Sequence, residues 1–228
     1  MSPPDSKKDN AQRLALKNAL LYGILDLGYI EKANLESVVS DLVDGGCGVI
    51  QLRAKGYSAD EVLKLIREEA PEIVGICRSQ GVPFIINDYP DVALAVGADG
   101  VHIGQDDGSL LDVRNLVGDE MIVGRSTHSS PQAKDALYEG FDYIGFGPLF
   151  PTPTKQGRPG IGLDEVKLVQ DKIGTNIPMF CIGGIKPDNL ELVLASGACR
   201  VVIVSALLQA DDIKATTQGV LEILKNHN

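Results

Sequence analysis

The sequence predicts an α/β fold, a (β/α)8 TIM barrel with an extra N-terminal helix. Eight short apolar runs alternate with eight amphipathic stretches along its 228 residues. Runs such as residues 84–86 and 201–204 show no alternation of polar and apolar side chains, which indicates strands that are buried on both faces of a parallel sheet. The length suits a single barrel of this kind, since such domains commonly have about 200–250 residues.

The elements follow one another as strand and then helix, and this order predicts the barrel unit by unit. The predicted strands are residues 21–26, 48–53, 82–87, 100–103, 121–124, 143–147, 177–182 and 201–204. The predicted helices are residues 35–43, 58–80, 90–96, 110–116, 131–138, 163–171, 189–195 and 213–225. An open, doubly wound sheet is the alternative, but no G-x-G-x-x-G segment follows the first strand. The closed barrel is therefore favoured.

The ends of the chain indicate how the domain is organised. Residues 1–10 are polar and are predicted to form a disordered tail, whereas residues 11–20 are predicted to form the extra helix that caps the bottom of the barrel. No shift in composition marks a linker, so residues 11–228 are predicted to be one catalytic domain. The N-terminus lacks the apolar segment of a signal peptide, and the longest apolar run is too short to span a bilayer. We expect a cytoplasmic protein.

Charge and cysteine usage restrict the partners. The formal net charge is −10 at pH 7, which argues against nucleic acid and anionic membranes, because proteins that bind these present basic patches. None of the four cysteines forms a C-x-x-C pair, so we expect reduced core residues. The expected partners are small molecules. The sequence leaves the oligomeric state open, and a homodimer is one option.

The chemistry of such a barrel lies at the carboxyl ends of its strands. The second strand ends in Gln51-Leu52-Arg53-Ala54-Lys55. Alternation places Gln51, Arg53 and Lys55 on the side of the barrel mouth, where two cations and an amide suit an anionic substrate. Arginine can bind a phosphate through two parallel hydrogen bonds. A solvated charged loop is the alternative interpretation.

Acidic residues follow the third and fourth strands. Asn87 and Asp88 end the third strand, and Asp106 and Asp107 follow the fourth. Adjacent strands lie about 4.8 Å apart, so carboxylates beyond two neighbouring strand ends can meet over one ion. Mg2+ typically takes one or two carboxylates, waters and phosphate oxygens. Asp88 and Asp107 are therefore predicted to hold Mg2+ with a diphosphate, unless Asp106 or Asp107 caps the helix beyond them.

The fifth strand is followed by a serine and a histidine. Ser126 and His128 are only two residues apart and no orienting acid is evident, so a hydrolytic triad is not favoured. Ser126 is interpreted as a hydrogen-bond donor to a phosphate. His128 is interpreted as a structural cap or as a proton carrier.

Two further segments complete the predicted mouth. Residues 145–160 form a long loop, and long loops in compact domains are usually functional, so a lid is predicted. Barrels of this class often bind phosphate between the loops after the seventh and eighth strands. Two phosphorylated substrates, or one long substrate, are implied. The lid would contribute Thr152, Thr154 and Lys155, and the second phosphate site would contribute Gly184, Val204 and Ser205.

The chain resembles the thiamin-phosphate synthase family from residue 22 to residue 205. Each matching segment is modest alone, but in this order at consecutive strand ends they are specific. The segments are QLRAK (51–55), FIINDYPDVAL (84–94), ADGVHIGQDD (98–107), GRSTH (124–128), GFGPLFPTPTK (145–155), CIGGI (181–185) and VVIVSAL (201–207).

The resemblance implies a role for each matching position. The implied reaction is a Mg2+-dependent, dissociative substitution that joins a pyrimidine diphosphate to a thiazole phosphate. In this interpretation Arg53, Ser126 and Lys155 are catalytic, and Asp88 and Asp107 bind Mg2+. The implied pyrimidine-diphosphate ligands are Gln51, Arg53, Lys55, Asn87, Ser126 and Lys155, and the implied thiazole-phosphate ligands are Thr152, Thr154, Gly184, Val204 and Ser205.

Two other functions are alternatives to this interpretation, and three positions differ from the usual pattern of the family. A related thiazole tautomerase would use His128 as a proton carrier, and a non-catalytic barrel would only bind thiamin precursors. The sequence departs from the usual family pattern at Leu25, Phe146 and Arg200. These departures put details of the pocket in doubt rather than the reaction.

Overall fold

The computed structural model describes residues 10–152 and 159–227, and these form a closed barrel of eight parallel strands. Each strand pairs with the next along the chain, and the last pairs with the first. The predicted fold class is confirmed. The strands are β1 (Leu21–Asp26), β2 (Val49–Arg53), β3 (Phe84–Asn87), β4 (Gly100–Ile103), β5 (Ile122–Thr127), β6 (Tyr143–Phe146), β7 (Met179–Cys181) and β8 (Val201–Ile203).

Helices surround the barrel, and one of them precedes it. A 3-10 turn (Lys32–Asn34) and two π-helical turns (Leu65–Glu69 and Gln170–Gly174) extend or connect these helices. The α-helices are α1 (Ala11–Asn18), α2 (Leu35–Asp44), α3 (Ala59–Lys64), α4 (Ile73–Ser79), α5 (Pro90–Val96), α6 (Leu110–Val117), α7 (Ser130–Glu139), α8 (Val166–Val169), α9 (Pro187–Ala195), α10 (Ser205–Leu208) and α11 (Ile213–His227).

Two of the differences between the predicted and the observed elements have a clear physical reason. The single helix predicted for residues 58–80 consists of α3, a π-helical turn and α4, because the chain turns at Ala70 and Pro71 and proline cannot supply the amide of a continuous helix. The fifth strand is predicted to end at Gly124, but β5 continues to Thr127 because Arg125 pairs with β4 and residues 124–127 pair with β6. Ser126 is therefore held within the sheet rather than in a loop.

The N-terminal helix closes the bottom of the barrel, as predicted. Leu16 of α1 packs into the cluster of apolar side chains that fills the barrel interior. Arg13 is buried, and its Nε donates to Asp142 at 3.1 Å, while Arg114 contacts the other oxygen of that carboxylate at 2.6 Å. This buried charge cluster attaches α1 to the barrel. Residues 1–9 of the predicted tail lie outside the described residues.

Alternation along each strand divides the core into two layers. Inward positions form a small interior cluster that includes Tyr22, Tyr143 and Phe180, and outward positions pack against the helices in a much larger cluster. Gly124 on β5 makes room for one of the large rings, because a Cβ at this position would lie 2.1 Å from Tyr143 Cζ. A glycine in one strand thus allows a tyrosine in its neighbour.

The remaining expectations about the chain concern cysteines and membranes. Cys47, Cys77 and Cys181 are buried, as expected for core residues, whereas Cys199 is only half-buried; all four are free. Across residues 10–152 and 159–227, no helix has the length and apolar character needed to cross a bilayer.

Candidate active site

A cavity of about 500 Å3 opens at the carboxyl ends of the strands. Side chains or loops from all eight strand ends contribute to its wall. The interior tyrosines and Phe180 form its apolar floor. Eight of the residues predicted for the site line this cavity: Gln51, Arg53, Asn87, Ser126, Thr152, Gly184, Val204 and Ser205.

The arginine at the end of β2 is held by a buried carboxylate. Arg53 NH1 lies 2.6 Å from Asp26 Oδ2, and Asp26 is only 2% exposed. The other oxygen of this carboxylate accepts a hydrogen bond of 2.9 Å from the Gly28 amide. Because Asp26 is fixed from both sides, the guanidinium is oriented before any ligand binds. The guanidinium belongs to the cavity wall, and a group of this kind can bind an anion through parallel hydrogen bonds.

A chain of hydrogen bonds crosses the cavity floor. Gln51 Nε2 donates to Tyr22 Oη at 2.9 Å, and Tyr22 Oη lies 2.9 Å from Tyr143 Oη. Tyr143 Oη lies 3.0 Å from His102 Nδ1, and His102 Nε2 lies 3.0 Å from Ser126 Oγ. The partner of Ser126 is therefore His102 and not the nearby His128. The other ring nitrogen of His102 contacts a tyrosine hydroxyl, so the arrangement differs from a hydrolytic triad.

The two predicted metal ligands meet at the rim of the cavity. Asp88 and Asp107 share a side-chain hydrogen bond, and the pKa of Asp88 is raised, first by burial and then by the neighbouring Asp107 carboxylate. The cations Lys55 and Arg53 lower this pKa. Asp88 also has a left-handed backbone, with φ of 68°, which is uncommon for a residue other than glycine. Two carboxylates and two cations therefore lie close enough to influence one another beyond the ends of β2, β3 and β4.

The alternative interpretation of the acidic segment, as a helix cap, is wrong. Ser109 is the N-cap of α6, and its hydroxyl accepts from the Asp112 amide at 3.2 Å in a capping box. Asp107 instead accepts a hydrogen bond from the Gly104 amide at 2.7 Å, which shapes the turn after β4. Asp106 and Asp107 are both exposed, so their carboxylates are not used by the helix.

The opposite side of the cavity is built from close-packed backbone. Gly183 and Gly184 both have positive φ, of 99° and 67°, and a Cβ at Gly183 would lie 2.3 Å from Pro148. The loop after β6 thus packs directly on the loop after β7. Val204 and Ser205 lie beside it at the start of α10. This is the wall predicted to receive the second phosphate.

Some predicted residues lie elsewhere. Lys55 is exposed at the rim, near Asp88 but outside the cavity wall. Thr154 and Lys155 lie outside the described residues, so the structure does not place the outer part of the predicted lid. His128 lines the cavity, and its Nδ1 donates to the Gly147 carbonyl, which connects the ends of β5 and β6.

Comparisons with known proteins identify the family. Residues 21–207 match the family model described as thiamine monophosphate synthase. A thiamine-phosphate synthase from Persephonella marina is 41% identical over 206 residues, which cover 90% of this chain and 96% of that one. A longer one from Gloeobacter violaceus is 42% identical over 190 residues, covering 83% of this chain and 54% of that one.

The chain belongs to the thiamine monophosphate synthase family.

A solved structure agrees with this assignment. Thiamine phosphate pyrophosphorylase from Pyrococcus furiosus superposes with a TM-score of 0.81 at 29% identity, covering 94% of this chain and 98% of that chain. As a thiamine monophosphate synthase, the protein is an enzyme of the transferase class. The tautomerase and the non-catalytic binder are not supported, because the matching family model and these relatives are named as synthases.

The three departures from the usual pattern of thiamine monophosphate synthases lie away from the cavity. Leu25 and Phe146 are fully buried in the outer core, between the strands and the helices. Arg200 donates to the Lys17 carbonyl of α1 at 2.9 Å, at the bottom of the barrel. These positions therefore affect packing, and the doubt that they raised about the pocket is removed.

Sequence reasoning missed four residues of the site. Asp26, Tyr22, His102 and Tyr143 were not selected, although each lies at or beside the cavity. The strand Gly100–Ile103 carried a signal, because His102 is a polar residue at an inward position of a buried strand. The tyrosines gave a weaker signal, since an aromatic residue in a buried strand is more often core than site.

Proposed function

We propose that this enzyme joins 4-amino-2-methyl-5-(diphosphooxymethyl)pyrimidine to 4-methyl-5-(2-phosphooxyethyl)thiazole, giving thiamine phosphate and diphosphate. The observation that carries the proposal is one cavity with an oriented arginine on one side and a glycine-rich wall on the other, with a carboxylate pair close to the arginine. The thiazole nitrogen forms the new C–N bond. The C–O bond to diphosphate breaks, and the leaving oxygen keeps the electron pair.

The pyrimidine diphosphate would occupy the side formed by β2 and β3. Arg53, held by Asp26, would bind the diphosphate through its guanidinium, and Lys55 at the rim would add a second cation. Gln51 and Ser126 would contact the ring from the two ends of the hydrogen-bonded chain on the floor. Asn87 would add an amide beside the diphosphate.

The residues at the rim fit Mg2+. Burial raises the pKa of Asp88, and the neighbouring Asp107 carboxylate raises it further, because two carboxylates in contact repel each other when both are ionised. Outside residues 1–9, 153–158 and 228, no group of three or more His, Cys, Asp or Glu side chains could hold a metal ion. Two carboxylates with water and diphosphate oxygens are a set typical of Mg2+. When bound there by Asp88 and Asp107, the ion would supply positive charge to the leaving diphosphate.

The chain's own groups would then act by placement and charge. In a dissociative substitution the C–O bond breaks before the C–N bond is complete, so negative charge grows on the leaving oxygens. Arg53 and Lys55 would stabilise that charge, and Lys155 of the predicted lid would add to them. No general base is needed, because the attacking thiazole nitrogen has no proton to lose.

The thiazole phosphate would occupy the opposite wall. Gly184, Val204 and Ser205 would offer backbone N–H groups and a hydroxyl to its phosphate, as barrels of this class commonly do. Thr152 faces the same space, and Thr154 of the predicted lid is proposed to join it. This arrangement directs the thiazole ring towards the pyrimidine methylene carbon.

Alanine variants of the carboxylate pair test the metal assignment. Asp88→Ala and Asp107→Ala should each lower kcat/KM at saturating Mg2+ by at least about 100-fold, because charge stabilisation of the leaving group is lost. Asp106→Ala is the matched control, since its carboxylate is exposed in the same turn, and we expect it to stay within about 2-fold of the parent. Parent-like rates in either Asp88→Ala or Asp107→Ala would contradict the assignment.

A further inference from the structure

The hydrogen-bonded chain on the cavity floor contains three residues to which the proposed reaction gives no task. Tyr22, Tyr143 and His102 connect Gln51 on β2 with Ser126 on β5. Both tyrosines are only 1% exposed. Phe180 packs edge-on against both rings without a polar group, so the interior does not require hydroxyls for packing. Burying a polar group costs free energy unless it is paired, and both hydroxyls are paired within this hydrogen-bonded chain. The chain therefore calls for an explanation other than packing.

The order of donors along this chain follows from its first hydrogen bond. Gln51 Nε2 donates to Tyr22, so Tyr22 donates to Tyr143 and Tyr143 donates to His102 Nδ1. His102 is then a neutral imidazole whose Nε2–H donates to Ser126 Oγ. In the reverse order Tyr22 would accept twice, and its own buried proton would have no acceptor among the contacts of the described residues, which is costly.

We propose that Tyr22, Tyr143 and His102 are positioning residues that fix which end of the chain offers an acceptor and which offers a donor to the substrate. At one end Gln51 turns its Oε1 to the cavity as an acceptor. At the other end Ser126 accepts from His102, and its own proton is available to a ligand. Burial raises the pKa of both tyrosines above the ordinary value, so both hydroxyls keep their protons and the order persists at neutral pH.

This pattern selects one form of pyrimidine, an inference that rests on the proposed function. A 4-aminopyrimidine carries an N–H donor next to a ring-nitrogen acceptor, which complements an acceptor at Gln51 and a donor at Ser126. A 4-oxopyrimidine presents the opposite pattern, with a carbonyl acceptor next to a ring N–H. Binding it would leave polar groups of the floor unpaired, and such mismatches discriminate strongly between substrates.

Calorimetric binding of two pyrimidine diphosphates tests the inference. The ligands are 4-amino-2-methyl-5-(diphosphooxymethyl)pyrimidine and its 4-oxo analogue, each titrated with Mg2+ present. In the parent enzyme we expect the amino form to bind at least about 30-fold more tightly. Tyr143→Phe and Tyr22→Phe each keep the ring but interrupt the hydrogen-bonded chain. Each should reduce the ratio of the Kd of the oxo form to the Kd of the amino form at least about 5-fold.

The control is a variant that loses a buried hydroxyl far from this hydrogen-bonded chain in the sequence. Thr217→Val also removes a fully buried hydroxyl, which donates to Ile213 O at 2.7 Å in α11, and it should leave the ratio unchanged. If either folded tyrosine variant weakens both ligands by the same factor, or keeps the parent ratio, the hydroxyls are only structural and the inference is overturned. Turnover of the parent enzyme tests the proposed function separately, so the two failures can be distinguished.

Discussion

At the scale of single residues, the site depends on buried partners that hold its polar groups. Asp26 fixes Arg53 through a 2.6 Å ion pair and is itself fixed by the Gly28 amide. A carboxylate that is 2% exposed cannot recruit water to replace a lost partner. The orientation of Arg53 is therefore determined by the protein, which reduces the entropy that diphosphate binding must overcome.

Asp26→Asn tests this dependence while it preserves the shape of the side chain. The ion pair is lost, so we expect the KM for the pyrimidine diphosphate to rise about 10-fold or more and the free energy of unfolding to fall by about 1–3 kcal/mol. Steady-state kinetics and urea unfolding measure the two effects.

Asp44→Asn is the matched control for this substitution. It removes the carboxylate of a surface pair with Lys214, and exposed pairs contribute about 0–1 kcal/mol. If Asp26→Asn changed the KM and the free energy of unfolding as little as Asp44→Asn does, the claim that Asp26 orients Arg53 would be contradicted.

The sequence predicted the site residues that alternation places at strand ends. It did not predict the residues whose role depends on hydrogen bonds between distant strands. Gln51, Arg53 and Ser126 follow or end strands, so their inward positions could be predicted. Tyr22 and Tyr143 are 121 residues apart, and their contact depends on the curvature of the closed barrel. Periodicity shows which face a side chain occupies but not which side chain of another strand it meets.

At the scale of elements, β5 and β6 fit together because a glycine in β5 lies beside a tyrosine in β6. Gly124 pairs with Tyr143 in the sheet, and the tyrosine ring occupies the space beside the glycine. The glycine therefore determines where the Tyr143 hydroxyl lies, and with it the middle of the hydrogen-bonded chain. The fit between these two strands thus shapes the cavity floor.

Gly124→Ala should disturb both stability and activity. The new Cβ would lie 2.1 Å from Tyr143 Cζ, so the ring must move, and overpacking of this kind costs about 1–3 kcal/mol. We expect kcat/KM to fall as the hydroxyl leaves its position. Urea unfolding and steady-state kinetics record both changes.

Gly75→Ala makes the same chemical change on the exposed face of α4 and is the control. A Cβ there would meet only the end of Glu72 at 3.8 Å, so we expect the free energy of unfolding to rise by about 0.5–1 kcal/mol without a change in kcat/KM. A Gly124→Ala enzyme that matched Gly75→Ala would show that Tyr143 can shift without consequence.

Element boundaries were predictable where local chemistry decides them. The break between α3 and α4 could have been predicted from Pro71, but the apolar period runs through residues 58–80 and concealed it. The extension of β5 to Thr127 could not be predicted, because its polar residues form a strand only through pairing with β6 and, at Arg125, also with β4. That pairing exists only in the closed barrel.

At the scale of the whole molecule, one end of the barrel holds the cavity and the other end is closed by interactions that contribute to stability. The cavity lies at the carboxyl ends of the strands, and α1 closes the other end through Leu16 and the buried charges of Arg13, Asp142 and Arg114. Barrels of this class use their two faces in this way. Changes at the bottom should therefore alter unfolding more than turnover.

Arg13→Ala tests the separation. It removes the hydrogen bonds to Asp142 and to the Asp119 carbonyl while Arg114 remains on the carboxylate, so we expect the free energy of unfolding to fall by about 1–3 kcal/mol. The kcat/KM value should stay within about 2-fold. Lys64→Ala, an exposed charge on α3, is the control for both measurements. A large loss of activity at unchanged stability would contradict the separation.

The eight repeats predicted the global architecture, whereas properties that depend on other molecules stay predictions. Mg2+, a possible homodimer and a cytoplasmic location are set by ligands, surface complementarity and the cell, which hydrophobic periodicity does not report. The roles of Thr154 and Lys155 also stay predictions, because both residues lie outside the described part of the chain.

The most direct test of the account is to mix the purified enzyme with the pyrimidine diphosphate and the thiazole phosphate and to follow thiamine phosphate and diphosphate together. We predict that both products form in equal amounts with Mg2+ and that chelation of the ion stops both. Diphosphate released without thiamine phosphate, or equal rates with and without Mg2+, would contradict the proposal that one cavity joins two substrates across a metal-bound diphosphate.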